Sequence, residues 1–81
     1  MATIFVLFKC ELGRAYQVAA ELVDRVEETH VSEVHSISGA HDLIAKFYLP
    51  ADIDVGHFVT ERIQTIPGVR DTFTLMALKA F

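Results

Sequence analysis

The turn segment 38–42 combines residue types that could hold a small charged ligand. Gly39 can adopt a positive φ and bring bare backbone N–H groups close to a ligand, while Asp42 places a fixed anion in the same turn. Such a pairing is suited to a zwitterion. Thr72 and Thr74 are two residues apart and so share one face of a strand, where their hydroxyls could bind a carboxylate or a polar side chain. For Asp42 and for each threonine, an ordinary turn or strand role is the more common alternative.

The other reactive side chains form no recognisable catalytic or metal-binding motif. The chain has one cysteine, Cys10, and four histidines whose spacing matches none of the paired zinc-ligand patterns. It has no glycine-rich phosphate loop, no nucleophile elbow and no repeated carboxylate pair. We therefore interpret Cys10 as a core residue and His35 and His57 as surface residues. No catalytic residue, metal or cofactor is expected.

Composition and charge narrow the class of protein. The 81 residues are 52% hydrophobic and carry 7 Lys and Arg against 11 Asp and Glu, for a net charge of −4. We expect one domain over residues 1–81, and an acidic chain without a basic stripe is poorly suited to direct nucleic-acid binding. The apolar run at the amino terminus ends at Lys9, too early for a membrane span, and a lone cysteine excludes an internal disulfide. These features predict a soluble cytoplasmic domain without nucleic-acid or membrane partners.

Hydrophobic periodicity predicts six elements in the order β-α-β-β-α-β. Two largely apolar runs are typical of central strands, two stretches have apolar residues at helical spacing, and two more polar stretches are typical of edge strands. Asp52 or Asp54 can cap the second helix, and Pro67-Gly68 ends it. The predicted bounds are strand 3–10, helix 13–29, strand 31–38, strand 43–49, helix 53–66 and strand 69–79.

This order of elements predicts an α+β fold of the ferredoxin-like βαββαβ type. The four-stranded sheet is expected to be antiparallel with the order 4-1-3-2, and both helices cross one face because β-α-β connections are right-handed. The other face has no helix over it, although strands one and three are apolar on both sides. We expect a second copy to cover that face, giving a dimeric α+β barrel with sheets packed face to face. The alternative is a monomer with a modest apolar face.

Two stretches of the sequence carry a family resemblance. The turn Ser38-Gly39-Ala40-His41-Asp42 follows a pattern of Gly, any residue, an aromatic or His, and Asp, and the last strand opens with Pro67-Gly68-Val69 and carries Thr72. With the opening strand and the helix from Gly13, these stretches resemble the effector-binding, or RAM, domain of the Lrp/AsnC (feast/famine) regulators over essentially the full chain. The sequence begins at the first strand of that domain. The resemblance therefore implies a stand-alone version without the family's helix-turn-helix DNA-binding domain.

The resemblance implies a sensor that binds a small effector, typically an amino acid, between dimers that assemble into rings such as octamers. The family's contact positions correspond to Gly39, Ala40, His41, Asp42, Thr72 and Thr74. The amides of Gly39 and Ala40 would hold the carboxylate, Asp42 the ammonium, and His41 and the two threonines the side chain. His41 stands where Tyr or Phe is frequent, so the resemblance does not identify the effector. Full-length Lrp/AsnC regulators are a further expected partner.

Two other function classes remain open on the sequence alone. Small dimeric α+β barrels include cofactor-free oxygenases and isomerases, whose pocket lies between the sheet and the helices. The predicted inward helix faces supply no polar residue for such a pocket, which disfavours an enzyme. The second alternative is a ligand-free interaction module that docks onto full-length regulators. Stabilisation of the chain by any amino acid would distinguish a sensor from this module.

Overall fold

The structure has the predicted sheet in the predicted strand order. The computed structural model describes all 81 residues, Met1–Phe81. Its elements are β1 (Ala2–Cys10), α1 (Ala15–Asp24), α2 (Val26–Thr29), β2 (Val31–Ser36), β3 (Leu43–Leu49), α3 (Val55–Phe58) with a following π-helical turn (Val59–Ile63), and β4 (Val69–Met76). The four strands pair antiparallel in the order β2-β3-β1-β4. The prediction of a ferredoxin-like α+β fold is confirmed.

The hydrophobic core lies on one face of the sheet, beneath the helices. Every second residue of the central strands points to that face, so Val6 of β1 and Phe47 of β3 are fully buried. They belong to one apolar cluster with Val18 and Leu22 of α1 and Ile63 of the π-helical turn. The helices therefore reach the sheet with apolar side chains, and none of them is long and apolar enough to cross a bilayer.

The first helix is shorter than predicted and is divided into two. The prediction of one helix over 13–29 is wrong because Arg25 leaves helical geometry, with φ −115° and ψ 43°. The buried hydroxyl of Thr29 donates to the carbonyl oxygen of Leu22 at 2.8 Å and so satisfies an acceptor near the break. His30 then ends α2 in the left-handed conformation, with φ 58°, and turns the chain into β2.

The second helical segment is also shorter than the predicted 53–66 and starts at Val55, although its cap is one of the two predicted aspartates. Asp54 caps it, since its Oδ2 accepts a hydrogen bond from the backbone N–H of His57 at 2.9 Å. After α3 the hydrogen bonding changes, and the N–H of Gln64 donates to the carbonyl of Val59 at 2.8 Å, five residues back. This π-helical turn adds one residue to the last turn before Pro67-Gly68.

Both edge strands end earlier than predicted, and β2 is irregular. β2 stops at Ser36 and β4 at Met76, whereas the predicted strands ran to 38 and 79. The pairing of β2 with β3 shifts between Val31 and Glu33. Val31 and Val34 consequently both pack against the core, although strict alternation predicted opposite faces for them. The extra residue of a bulge produces this change of side.

The other face of the sheet, here called the open face, carries apolar side chains with no helix over them. Phe73 of β4 is 54% exposed, Leu75 is 44% exposed and Tyr48 of β3 is 41% exposed. Lys46 lies over the ring of Tyr48, with Nζ 4.9 Å from its centroid. The strand register aligns the members of the open face across the sheet: Phe5, Leu7, Ile44, Lys46, Tyr48, Phe73 and Leu75.

Candidate functional site

A cleft of about 490 Å³ opens at the carboxyl end of β1. It lies where the β1–α1 loop, the β2–β3 hairpin and the start of β4 come together, and we call it the hairpin cleft. Its volume is within the range of small-molecule sites. It is lined by residues 9–13 of β1 and the following loop, by Ala15 and Tyr16 of α1, by Ala40 and Asp42 of the hairpin, and by Arg70 of β4.

Asp42 fixes the hairpin against the end of β1. Its backbone N–H donates to the carbonyl of Phe8 at 2.8 Å, and its Oδ2 accepts from the backbone N–H of Cys10 at 2.8 Å. Its own carbonyl accepts from the N–H of Ile37 at 3.0 Å and closes the hairpin. One carboxylate oxygen of Asp42 is thus engaged by the fold, while Oδ1 makes no hydrogen bond within the chain. Asp42 has a structural role in addition to any role in binding.

Gly68 brings the start of β4 beside the β1–α1 loop. Its carbonyl accepts from the N–H of Glu11 at 2.8 Å. Its φ is +97°, and a Cβ at this position would lie only 3.0 Å from Cβ of Arg14 and 3.1 Å from Cγ2 of Val18. Glycine is therefore required for both the backbone conformation and the close approach. The turn at Gly68 leads into β4, whose second residue, Arg70, lines the hairpin cleft.

The charges around the hairpin cleft are balanced. Two cations, Lys9 and Arg70, and two carboxylates, Glu11 and Asp42, line it. The amino end of α1 also reaches the cleft, and its N-cap residue Arg14 provides no capping side chain. The first amides of α1 therefore present their partial positive charge without a side-chain acceptor. Opposite charges so close together match a ligand that carries both a carboxylate and an ammonium group.

Cys10 lines the hairpin cleft with a neutral thiol. The residue is 7% exposed and is the last buried residue of β1. Burial raises the pKa of the Cys10 thiol, and the negative charge of Asp42 raises this pKa further. Cys10 therefore contributes a small uncharged surface to the cleft rather than a nucleophilic thiolate.

The structure brings only two of the six predicted site residues into this cleft, Ala40 and Asp42. Gly39 has the predicted positive φ, +124°, and lies at the exposed tip of the hairpin. His41 is half-buried. It does not line the cleft, although its sequence neighbours Ala40 and Asp42 do. The hairpin part of the predicted site is thus partly assembled within one chain.

Thr72 and Thr74 lie apart from the hairpin. They pair with Phe8 and Val6 of β1, on the helix-covered side of the edge strand β4. The hairpin joins the opposite side of β1, so two strand spacings, roughly 10 Å, separate the threonines from it. Thr72 has a partner that the sequence analysis did not identify, because its Oγ1 accepts from Nε2 of Gln64 at 2.8 Å.

The cleft residues that were not predicted from the sequence include Lys9, Tyr16 and Arg70. None of them belongs to a motif, and Lys9 and Arg70 are far apart in the sequence. The predicted strand order could have indicated these residues. Antiparallel pairing places the end of β1 beside the start of β4 and pairs Lys9 with Asp71. Charged residues at those two strand ends could have been grouped on this basis.

A second polar cleft lies between α2 and α3 and has a volume of about 330 Å³. His30, Asp54 and His57 are among its lining residues, and no strand residue lines it. It is therefore not the sheet–helix pocket that an enzyme of the α+β barrel type would need. No group of three or more His, Cys, Asp or Glu side chains is arranged to hold a metal ion.

The model of the Lrp/AsnC ligand binding domain family matches residues 3–81. The chain belongs to this family. Lrp/AsnC domains of this type are ligand-binding parts of transcription regulators and not enzymes, so the enzymatic alternative is set aside. No sequence among the curated proteins matches the chain.

Solved structures similar to this Lrp/AsnC domain include short proteins and longer regulators. FFRP-DM1 is 29% identical, with a TM-score of 0.86 over 96% of this chain and 100% of that chain. TTHA0845 from Thermus thermophilus is 31% identical, with a TM-score of 0.82 over 100% of this chain and 98% of that chain. The transcriptional regulator NMB0573 from Neisseria meningitidis, solved as a complex with L-Met, shares the fold at 19% identity and a TM-score of 0.79. The match covers 96% of this chain and 50% of that regulator.

Proposed function

We propose that this Lrp/AsnC domain binds an amino acid in the hairpin cleft and that binding controls its assembly into oligomers. The observation that carries the proposal is the balanced set of charges, Lys9 and Arg70 with Glu11 and Asp42, beside the hairpin that bears the family positions. The family membership supports a small effector. The L-Met complex of the NMB0573 regulator supports an amino acid as its class.

In the proposed complex the two ends of the amino acid are held by opposite charges. The α-carboxylate lies near Lys9 and Arg70, beside the uncapped amides of α1 and the hairpin residue Ala40. The ammonium group lies against Asp42, whose Oδ1 has no hydrogen-bond partner in the chain. Each charged end of the ligand thereby replaces its hydration with partners of opposite sign.

We further propose that the open face is covered by a second copy of the chain. Phe73, Leu75 and Tyr48 of this face are exposed with no helix over them, and apolar surfaces of this kind commonly mark contacts between proteins. Face-to-face packing of two sheets would bury it and produce a symmetric dimer, the dimeric α+β barrel. Dimers in turn assemble into rings, for which an octamer is the expected size.

In such a ring, Thr72 and Thr74 of a neighbouring copy complete the effector site. This arrangement would explain why the threonines are remote from the hairpin within one chain. A ligand that binds only the assembled form stabilises it by RT ln(1 + [L]/Kd), about 2.7 kcal/mol at a hundredfold excess over Kd. We propose that this domain works in the cytoplasm, that residues 1–81 do not themselves bind nucleic acid, and that the domain docks onto full-length Lrp/AsnC regulators.

A thermal-shift screen of the twenty amino acids tests the proposed ligand class. We expect at least one amino acid to raise the midpoint of unfolding, with Asp42→Asn reducing its affinity at least tenfold because the ammonium group loses its counter-charge. Asparagine retains an oxygen for the N–H of Cys10, so the hairpin should keep its position. Asp52→Asn, an exposed carboxylate outside the cleft, is the matched control and should leave the affinity unchanged.

Two results would refute the binding site. If no amino acid stabilises the wild-type chain, the sensor proposal fails and a ligand-free interaction module remains. If Asp42→Asn responds as fully as Asp52→Asn, an amino acid binds elsewhere.

A further inference from the structure

We infer that the hairpin cleft selects amino acids with uncharged, apolar side chains, and that Tyr16 and Leu12 determine this specificity. The inference rests on the proposed function, because it names the class of amino acid that the same site takes. Neither residue belongs to the hairpin or to the threonine pair. The selectivity follows from the surface of the cleft that remains once the charged ends of the ligand have been paired.

Beside the Glu11 carboxylate, the β1–α1 loop and α1 give the cleft an apolar surface at Leu12 and Tyr16, which has no cover within the chain. Leu12 is 99% exposed and Tyr16 is 77% exposed, although both line the cleft. Large apolar side chains at such exposure gain free energy when an apolar group removes them from water. Tyr16 also offers an aromatic ring, which packs well against branched, thioether or aromatic side chains.

The remaining surface of the cleft is small and uncharged. Ala15 and Ala40 have short side chains, and Cys10 contributes a buried neutral thiol. A cleft of about 490 Å³ accommodates a side chain as large as that of leucine, methionine or phenylalanine beside the main-chain groups of the ligand. These residues therefore leave space for an apolar side chain without offering it a polar partner.

A charged side chain on the ligand would upset the charge balance of the cleft. The carboxylate and ammonium groups of any amino acid already match the two cations and two carboxylates that line it. A third ligand charge would compete for one of these partners or lie against the neutral surface at Cys10 and Ala15. Either arrangement leaves a charge partly desolvated without a full partner.

Isothermal titration calorimetry with single amino acids tests this selectivity. L-Leu, L-Met or L-Phe should bind the wild-type chain at least tenfold more tightly than L-Lys, L-Glu or L-Asn, as expected for an apolar subsite. Tyr16→Ala should weaken the binding of L-Leu or L-Phe on the order of tenfold and the binding of L-Ala by less than about twofold. Leu12→Ala should show the same pattern with a smaller change. The ratio of L-Phe to L-Ala affinity is decisive, because a merely structural defect would weaken both ligands alike.

Matched controls keep the result specific to the cleft. Val23→Ala alters another exposed apolar residue of α1, and Leu78→Ala alters a leucine that is 96% exposed near the carboxyl terminus. Both should leave every affinity unchanged. Sedimentation velocity of Tyr16→Ala should match the wild type, whereas a changed oligomer with unchanged amino-acid affinities would assign Tyr16 to a contact between copies and overturn the inference.

The outcomes also separate this inference from the proposed function. Tightest binding of L-Lys or L-Glu, with loss of that binding in Asp42→Asn, would overturn the apolar selectivity and leave the amino-acid site in place. Binding of none of the twenty amino acids would overturn both.

Discussion

The two faces of the sheet are made from similar residues and differ in what covers them. On the covered face, Val6 and Phe47 are fully buried beneath the helices. On the open face, Phe73 and Leu75 remain 54% and 44% exposed, although they lie on neighbouring positions of the same sheet. The residue types alone do not distinguish the faces, because the right-handed crossovers decide which side the helices take. One face therefore stabilises the fold of a single chain, and the other is the face that we propose a second copy covers.

Substitutions on the covered face are expected to have the largest effect, a loss of free energy of unfolding. Phe47 is fully buried and packs edge-on against Phe58, with ring centroids 5.7 Å apart. Phe47→Ala should lower the free energy of unfolding by about 3–5 kcal/mol, because it removes buried apolar surface and leaves a cavity. Urea denaturation measures this loss. Tyr48 is the next residue in the sequence and lies on the open face, so Tyr48→Ala should lower the free energy of unfolding clearly less. Equal losses in the two variants would mean that the two faces do not differ as described.

Substitutions on the open face are expected to have a smaller effect, which changes assembly and leaves the fold intact. Phe73→Glu should convert the proposed dimer to a monomer at micromolar concentration, because it places a charge inside the proposed sheet–sheet contact. Circular dichroism should remain that of the folded chain. Met76→Glu is the matched control, since Met76 is 57% exposed on the same strand but pairs with Ile4 on the covered side. Equal dissociation in both variants would argue against face-to-face packing.

The smallest expected effect is on the reactivity of Cys10, which lies where the covered face reaches the hairpin cleft. Because burial and the Asp42 carboxylate raise the pKa of the Cys10 thiol, less thiolate is present at pH 8 than in an ordinary cysteine. Alkylation by iodoacetamide should therefore be slower in the native chain than in urea, with its pH midpoint shifted upward. Asp42→Asn should move that midpoint back toward the ordinary value. A native midpoint equal to the unfolded one would show that Cys10 is not covered as described.

Elements whose signals are local could be predicted from the sequence. The apolar runs of β1 and β3, the Asp54 cap and the turn at Gly68 each depend on near neighbours in the chain. The break at Arg25 could not be predicted, because apolar residues continue at helical spacing across it and Thr29 satisfies the backbone from seven residues away. The bulge in β2 was missed for a related reason, since it depends on pairing with β3.

The candidate site was predictable only in the part that a single turn supplies. The hairpin motif identified Asp42, but the sequence did not reveal that one of its oxygens holds the N–H of Cys10. Lys9 and Arg70 come together only through the pairing of β1 with β4. The threonines of β4 remain a prediction from residue type, and their distance from the hairpin follows from the position of β1 between β4 and β3.

Sedimentation velocity of the wild-type chain, with and without an apolar amino acid such as L-Leu, tests the central claim most directly. A chain of 9.1 kDa whose open face is covered by a second copy should sediment as a dimer or a multiple of it at micromolar concentration. Saturating L-Leu should shift the distribution toward the larger assembly, because in the proposed function the amino acid binds the assembled form more tightly. A single 9.1 kDa species at every concentration, unchanged by L-Leu, would contradict the account.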